Sequence, residues 1–128
     1  MKNYFLRVLC LMLLTSVFSI KSNAQNPKNE IRAIWLTTNY GLDWPKNQAT
    51  SLEGCEKQKR DLCKILDMVQ ELNMNTVFFQ ARLRSDVLYE SDIEPYSAIM
   101  TGSRGKKPLY DPLAFAIEEC HKRGLQCH

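Results

Sequence analysis

Segments of strand and helix character alternate along this chain, and the links between them are lopsided. Residues 31–36 (IRAIWL) form a short apolar run with Ile and Trp, which predicts a strand. Residues 37–54 are a polar loop holding Gly41 and Pro45. From about 55 to 72, Leu62, Ile65, Leu66, Val69 and Leu72 recur three or four apart, which predicts a helix with one apolar stripe. Asn73 suits the left-handed position that closes it. Residues 76–81 (TVFFQA) predict a second strand. A long polar loop then runs from 83 to 110. Asp111 and Pro112 open a second helix as N-cap and first-turn proline. Leu113, Ala116, Ile117 and Cys120 give its stripe, and Gly124 ends it. Residues 125–128 begin a third strand.

The order β-α-β-α-β implies a parallel sheet joined by right-handed crossovers. Links from helix to strand are short. Links from strand to helix run to about 18 and 28 residues, against roughly 2–6 in ordinary α/β units. In parallel α/β folds the loops after strands gather at the C-terminal ends, where ligands bind. The two long loops are therefore expected to form walls of one site. A dinucleotide-binding half would need a Gly-rich turn after the first strand, and Thr37-Thr38-Asn39-Tyr40-Gly41 is not one. Residues 102–107 (GSRGKK) follow no strand directly and open no helix, so they read as a mobile loop tip rather than a phosphate loop. These readings favour a (β/α)8 TIM barrel, of which the chain supplies the N-terminal β-α-β-α-β portion.

Charge excludes one class of partner. The chain carries 17 basic and 14 acidic residues, but Lys2, Arg7 and Lys21 lie in the first 24, which hold no acid. The remaining 14 basic and 14 acidic residues cancel. No basic excess is left to displace counterions from nucleic acid. The first 24 residues read as an address. A positive start over 1–7, a mostly apolar run over 8–20 and Ser22-Asn23-Ala24 form the pattern of a signal peptide cleaved near Ala24. The apolar run falls short of the about 20 residues that span hydrocarbon. Cys10 lacks the small residues that precede a lipidated cysteine. Residues 25–29 then read as a short linker and 30–128 as one domain. The expected location is periplasmic or secreted, with no stable membrane anchor after cleavage.

Export would bring Cys55, Cys63, Cys120 and Cys127 into an oxidising compartment, where four cysteines allow three pairings. The spacing selects none of them, and some could be small buried hydrophobes. Cys120-His121 with Cys127-His128 offers ligand atoms for zinc but no C-x-x-C pair. Neither a metal nor a cofactor is expected.

Three stretches resemble a known family. They are Ile31-Arg32-Ala33-Ile34-Trp35-Leu36-Thr37-Thr38 with Gly41-Leu42-Asp43-Trp44-Pro45; Asn75-Thr76-Val77-Phe78-Phe79-Gln80 with Arg82, Asp86, Leu88 and Tyr89; and Tyr110-Asp111-Pro112-Leu113 through Glu119-Cys120-His121-Lys122-Arg123-Gly124-Leu125. Together they resemble the opening of the glycosyl-hydrolase-like 10 family, over about residues 30 to 128. The resemblance implies a (β/α)8 barrel and an exported enzyme acting on bacterial wall glycan or another polysaccharide. Where the family pattern has a proline and a glycine after Arg82, this chain has Leu83 and Ser85, so the loop is expected to differ in shape. A full barrel needs about 250 residues, so the chain reads as the truncated N-terminal piece of a longer protein. Three strands of an eight-stranded barrel leave open edges. Residues 25–128 alone are therefore expected neither to fold cooperatively nor to hydrolyse glycan.

Glycoside hydrolysis usually needs two carboxyl groups flanking the bond, and here both are expected in the missing C-terminal part. Asp43 and Asp86 lie in the right loops and could bind sugar hydroxyls or merely fix turns. Tyr40, Trp44 and Tyr89 are candidate platforms for sugar faces, with Tyr96 also near a strand end and Trp35 open between core and site. Arg82 follows Phe78 and Gln80 on one side of the strand and would point into the site. Asp86 could pair with it or bind sugar. Glu90, Asp92 and Glu94 read as a solvated loop, with cation binding as the alternative. Glu118 and Glu119 read as a solvated helix face, and His121 as a helix C-terminal cation. The expected function is that of an exported glycoside-hydrolase-like protein whose partner is a polysaccharide or peptidoglycan glycan. The parent would be an O-glycosyl hydrolase and this piece alone inactive. The alternative is a non-catalytic glycan-binding or structural barrel of the cell envelope.

Overall fold

The computed structural model describes residues 30–128. The expected leader, its cleavage near Ala24, Cys10 and the linker over 25–29 lie outside the described residues. Among those described, no helix is long and apolar enough to cross a membrane. The elements are β1 (Ala33–Leu36), α1 (Leu52–Glu71), β2 (Thr76–Phe79), a hairpin of β3 (Arg82–Leu83) and β4 (Asp86–Val87), the single turn α2 (Ala98–Thr101), α3 (Pro112–Lys122) and β5 (Gln126–Cys127).

The expected alternation is present as a parallel sheet in the order β1-β2-β5. Trp35 lies opposite Phe78, and Val77 opposite Cys127. The alternation along β2 sorts its side chains by face. Val77 and Phe79 are buried beneath the helices, whereas Phe78 is exposed; the strand ends at Phe79, short of the expected 81, so Arg82 belongs to the hairpin rather than to this alternation. Leu36, Leu62, Leu66, Val69, Ala116, Cys120 and Leu125 complete one core between the sheet and the helices α1 and α3. Each fully buried Leu contributes about 2 kcal/mol by leaving water. The opposite face carries a row of rings. Trp35 stacks on Phe78 at 6.2 Å, and Phe78 meets His128 at 6.0 Å.

Capping chemistry sets the helix ends. Ser51 Oγ accepts from the Gly54 amide at 3.2 Å, so α1 begins three residues before the expected Cys55. Gly54 sits inside the helix because a Cβ there would lie 3.0 Å from that of Ala49. Asn73 takes a left-handed φ of 55°, as its position implies. Asp111 Oδ1 accepts from the Ala114 amide at 2.9 Å, with Pro112 in the first turn of α3. Two stripe residues are corrected by the structure. Leu72 has left the helix and is exposed, and Ile117 has drifted to the rim of the stripe.

Glu119 is also corrected, since it is buried rather than solvated. It accepts from Lys122 at 2.7 Å, from Arg123 at 2.7 Å and from the Cys63 thiol at 3.4 Å. Arg123 also reaches Asp67 at 2.6 Å, which joins the end of α3 to α1. Hydrogen bonds from Lys122 and Arg123 pull the Glu119 carboxyl from an ordinary 4.5 down to about 2. A carboxylate held low contributes stability that is complete above pH 4.5 and drains away as the pH falls toward 2. Discounted for the solvent that reaches the helix surface, the contribution is on the order of 1–2 kcal/mol. Glu119→Gln is therefore expected to flatten the acid limb of stability. Denaturant titrations of both proteins at pH 7 and pH 3 test this, and equal losses would remove Glu119 from the account.

Candidate functional site

The site is built where β1 and β2 end. Thr37 Oγ1 donates to Gln80 Oε1 at 2.6 Å, and the Thr38 amide reaches the same oxygen at 3.1 Å. Thr38 Oγ1 also donates to the Gln80 carbonyl at 3.0 Å. One glutamine amide thus binds the start of the first long loop to the start of the second.

The second loop is not irregular throughout. A two-residue turn with φ of 51° at Arg84 and 58° at Ser85 folds residues 82–87 into a hairpin. Positive φ at both central positions is the geometry that matches the strand twist. Asn-Gly usually supplies it, so neither residue type signalled the turn in the sequence. The segment then folds back, with the Val87 amide donating to the Pro95 carbonyl and the Ser97 amide to that of Val87. The exposed stretch 102–107 is held by the Gly105 amide on Tyr96 O at 2.7 Å and by Arg104 on Ser85 O at 2.8 Å.

The two loops meet as expected. The Ala49 amide donates to the Met100 carbonyl at 2.8 Å. Buried Gln58 donates from Nε2 to both Asn47 O and Met100 O, at 2.7 and 3.0 Å, and accepts from the Tyr110 hydroxyl at 3.1 Å. Burial pushes the Tyr110 phenol up, so it stays protonated and donates. Between the loops lies a cleft of about 200 Å³. Tyr40 and Gln48 line it from the first loop, and Arg84, Asp86, Ser97 and Ile99 from the second.

Of the expected site residues, the cleft brings together Tyr40 and Asp86. Tyr40 is 75% exposed. The guanidinium of Arg84, which the sequence reading missed, lies 4.3 Å above its ring. Arg82 pairs with Glu94 through two bonds of 2.5 and 2.6 Å, so its partner is not Asp86. The Arg82 guanidinium beside Glu94 holds that carboxyl below the usual range. Glu90 turns instead to Lys107 at 3.0 Å, so the two glutamates of the run 90–94 go to different cations. Among the described residues no group of three or more acids, histidines and cysteines is placed to hold a metal. Tyr89 is half-buried within electrostatic reach of Arg82.

Asp43 and Trp44 stand elsewhere. Asp43 Oδ2 accepts from the Thr37 amide at 2.8 Å and fixes the turn after β1. Trp44 is 0% exposed, and its indole donates to Gln58 O at 2.8 Å. A fully buried ring offers no face to a sugar, so Trp44 is a core residue. Trp35, by contrast, is 64% exposed on the open sheet face, away from the cleft. The cleft therefore assembles one carboxylate, one exposed aromatic ring with a guanidinium over it, and several hydroxyl and amide groups among the described residues. That set suits binding of a polyhydroxylated ligand.

Known proteins share this stretch. The family model for glycosyl hydrolase-like 10 matches residues 30–128. The glycosyl hydrolase YngK of Bacillus subtilis (strain 168) is 42% identical over 120 residues, covering 92% of this chain and 23% of YngK. The glycosyl hydrolase DigH of Escherichia coli (strain K12) is 38% identical over 111 residues, covering 84% of this chain and 25% of DigH. The chain spans about a quarter of the length of these curated relatives.

Proposed function

The chain belongs to the glycosyl hydrolase-like 10 family, and from that premise we propose that its cleft is a sugar-binding subsite of an exported glycosidase. The substrate is a bacterial wall glycan or another polysaccharide. The parallel sheet is the opening part of a (β/α)8 barrel, and the cleft lies at the mouth where such barrels bind ligands. The observation that carries the reading is the exposed Tyr40 ring standing over a pocket that Asp86 lines from the other loop. An exposed aromatic ring suits the apolar side of a pyranose, and a carboxylate accepts from its hydroxyls. Hydrolysis needs a pair of carboxyls. Asp86 is the single acid lining the cleft among the described residues, so the acid and base come from elsewhere in the whole protein. The leader over 1–24 carries the protein to the periplasm or outside the cell.

The same single acid also favours a second reading, a barrel that binds glycan without cutting it. One experiment addresses both. In the intact protein, Tyr40→Ala and Asp86→Asn are expected to weaken glycan binding at least tenfold, on the order of 1.4 kcal/mol. Melting temperatures should barely move, because both side chains face the cleft. Reducing-end release from soluble glycan strands and a polysaccharide panel shows whether turnover falls with binding. Unchanged binding in both variants would refute the subsite. Binding without any release would select the non-catalytic protein.

A further inference from the structure

Cys120 and Cys127 support an inference that does not depend on the glycan reading. Cys120 stands in the last turn of α3 with its side chain in the core. The chain reverses at Gly124, whose φ is 70°, and the Leu125 amide returns to the Cys120 carbonyl at 3.0 Å. Two residues on, Cys127 lies in register with Val77. In a parallel pair, register partners share a face, so Cys127 points toward the helices and packs against the core that holds Cys120. The two thiols are near enough that each shifts the other's proton affinity.

We propose that Cys120 and Cys127 are an oxidisable pair whose disulfide ties the C-terminal end of α3 to β5. Cys55 and Cys63 do not bridge each other. Cys55 and Cys63 lie eight residues apart in one helix, about 12 Å along its axis. A disulfide needs Cα atoms within about 7 Å. The Cys63 thiol is directed at Glu119 Oε2, 3.4 Å away. Of the three pairings open to the sequence, the one containing Cys55–Cys63 therefore cannot form in full. A single bridge between Cys120 and Cys127 leaves Cys55 and Cys63 as thiols.

Access decides which sulfur reacts first. Cys120 is 1% exposed. Cys127 is half-buried. The hydrogen bond from Cys120 holds the Cys127 thiol below its ordinary range, which favours the attacking thiolate. With a small-molecule disulfide such as oxidised glutathione as oxidant, Cys127 Sγ attacks one of its sulfurs. An S–S bond forms to Cys127 and one thiolate leaves. Cys120 then gives its proton to solvent, and its Sγ attacks the Cys127 sulfur. The mixed disulfide breaks and the second thiolate departs. Two protein thiols are oxidised and one disulfide is reduced to two thiols.

The test incubates the intact protein with oxidised glutathione, blocks remaining thiols with N-ethylmaleimide in denaturant, and digests with trypsin. Cleavage after Lys122 and Arg123 falls between the two cysteines, so their peptides stay together only through a disulfide. The expected result is one linked pair joining Cys120 to Cys127. The protein loses two hydrogen atoms, a reductant reverses the change, and Cys55 and Cys63 carry maleimide. In Cys127→Ser, which keeps a small side chain at a half-buried position, Cys120 is expected to carry maleimide as well. Maleimide on both Cys120 and Cys127 in the oxidised wild type would overturn the proposal. So would a bridge from either one to Cys55 or Cys63.

Discussion

Trp44→Ala is expected to destabilise the protein by about 3–5 kcal/mol, the usual cost of emptying a buried aromatic site. Trp44 is wholly buried, its ring lies 5.8 Å from Phe79, and its indole donates to the Gln58 carbonyl. Alanine removes the ring from the core and takes the indole donor from that carbonyl, which keeps its helical amide partner. Whole domains are stable by only about 5–15 kcal/mol, so the loss takes a large share of the total. Denaturant unfolding of the intact protein measures it. A loss below about 1 kcal/mol would mean that the core closes over the gap, against the usual behaviour of such sites.

The second large effect is expected at Gln58. Gln58→Met keeps the length of the side chain and removes its polar end. The Met100 carbonyl still accepts from the Ala49 amide, but the Asn47 carbonyl and the Tyr110 hydroxyl lose the partners that Gln58 gives them. Each buried polar group stranded in this way costs about 1–3 kcal/mol. The sum is about 2–6 kcal/mol, with loosening concentrated where the two long loops meet. Hydrogen exchange separates this from a general loss. Faster exchange at Ala49, with α3 still protected, is the expected pattern. Uniform acceleration across α1 and α3 would instead make Gln58 a part of the global core.

The periodic elements were legible because burial writes a pattern into the sequence. Leu62, Leu66 and Val69 repeat with the helix turn, and Val77 and Phe79 alternate with the strand, as their burial shows. The caps at Asn73 and Asp111 were legible because each residue type meets a specific backbone need. The hairpin over 82–87 was not, since Arg84 and Ser85 adopt left-handed conformations without the usual turn residues. Trp44 was misplaced because a buried tryptophan and an exposed sugar platform have the same letter. Only the distant Gln58 carbonyl and Phe79 ring separate them. Arg82 was given the acid nearest in sequence, whereas the fold-back at Pro95 brings Glu94 to it. Long loops conceal such pairings, because their partners are chosen by tertiary return rather than by local spacing.

The residues that hold the long loops and the residues that face the cleft are different sets. Asp43, Trp44, Gln58 and Gln80 fasten backbone to backbone or to the core, while Tyr40, Arg84 and Asp86 project into the open space between. Substitutions at separated sites without shared partners act nearly additively on stability. Changes at the cleft positions therefore add to changes at the fastening positions without disturbing them. A lineage carrying this architecture can retune what its cleft accepts through a handful of side chains while its framework stays fixed. Across relatives, variation should gather at 40 and 84, while the fastening positions change seldom and together.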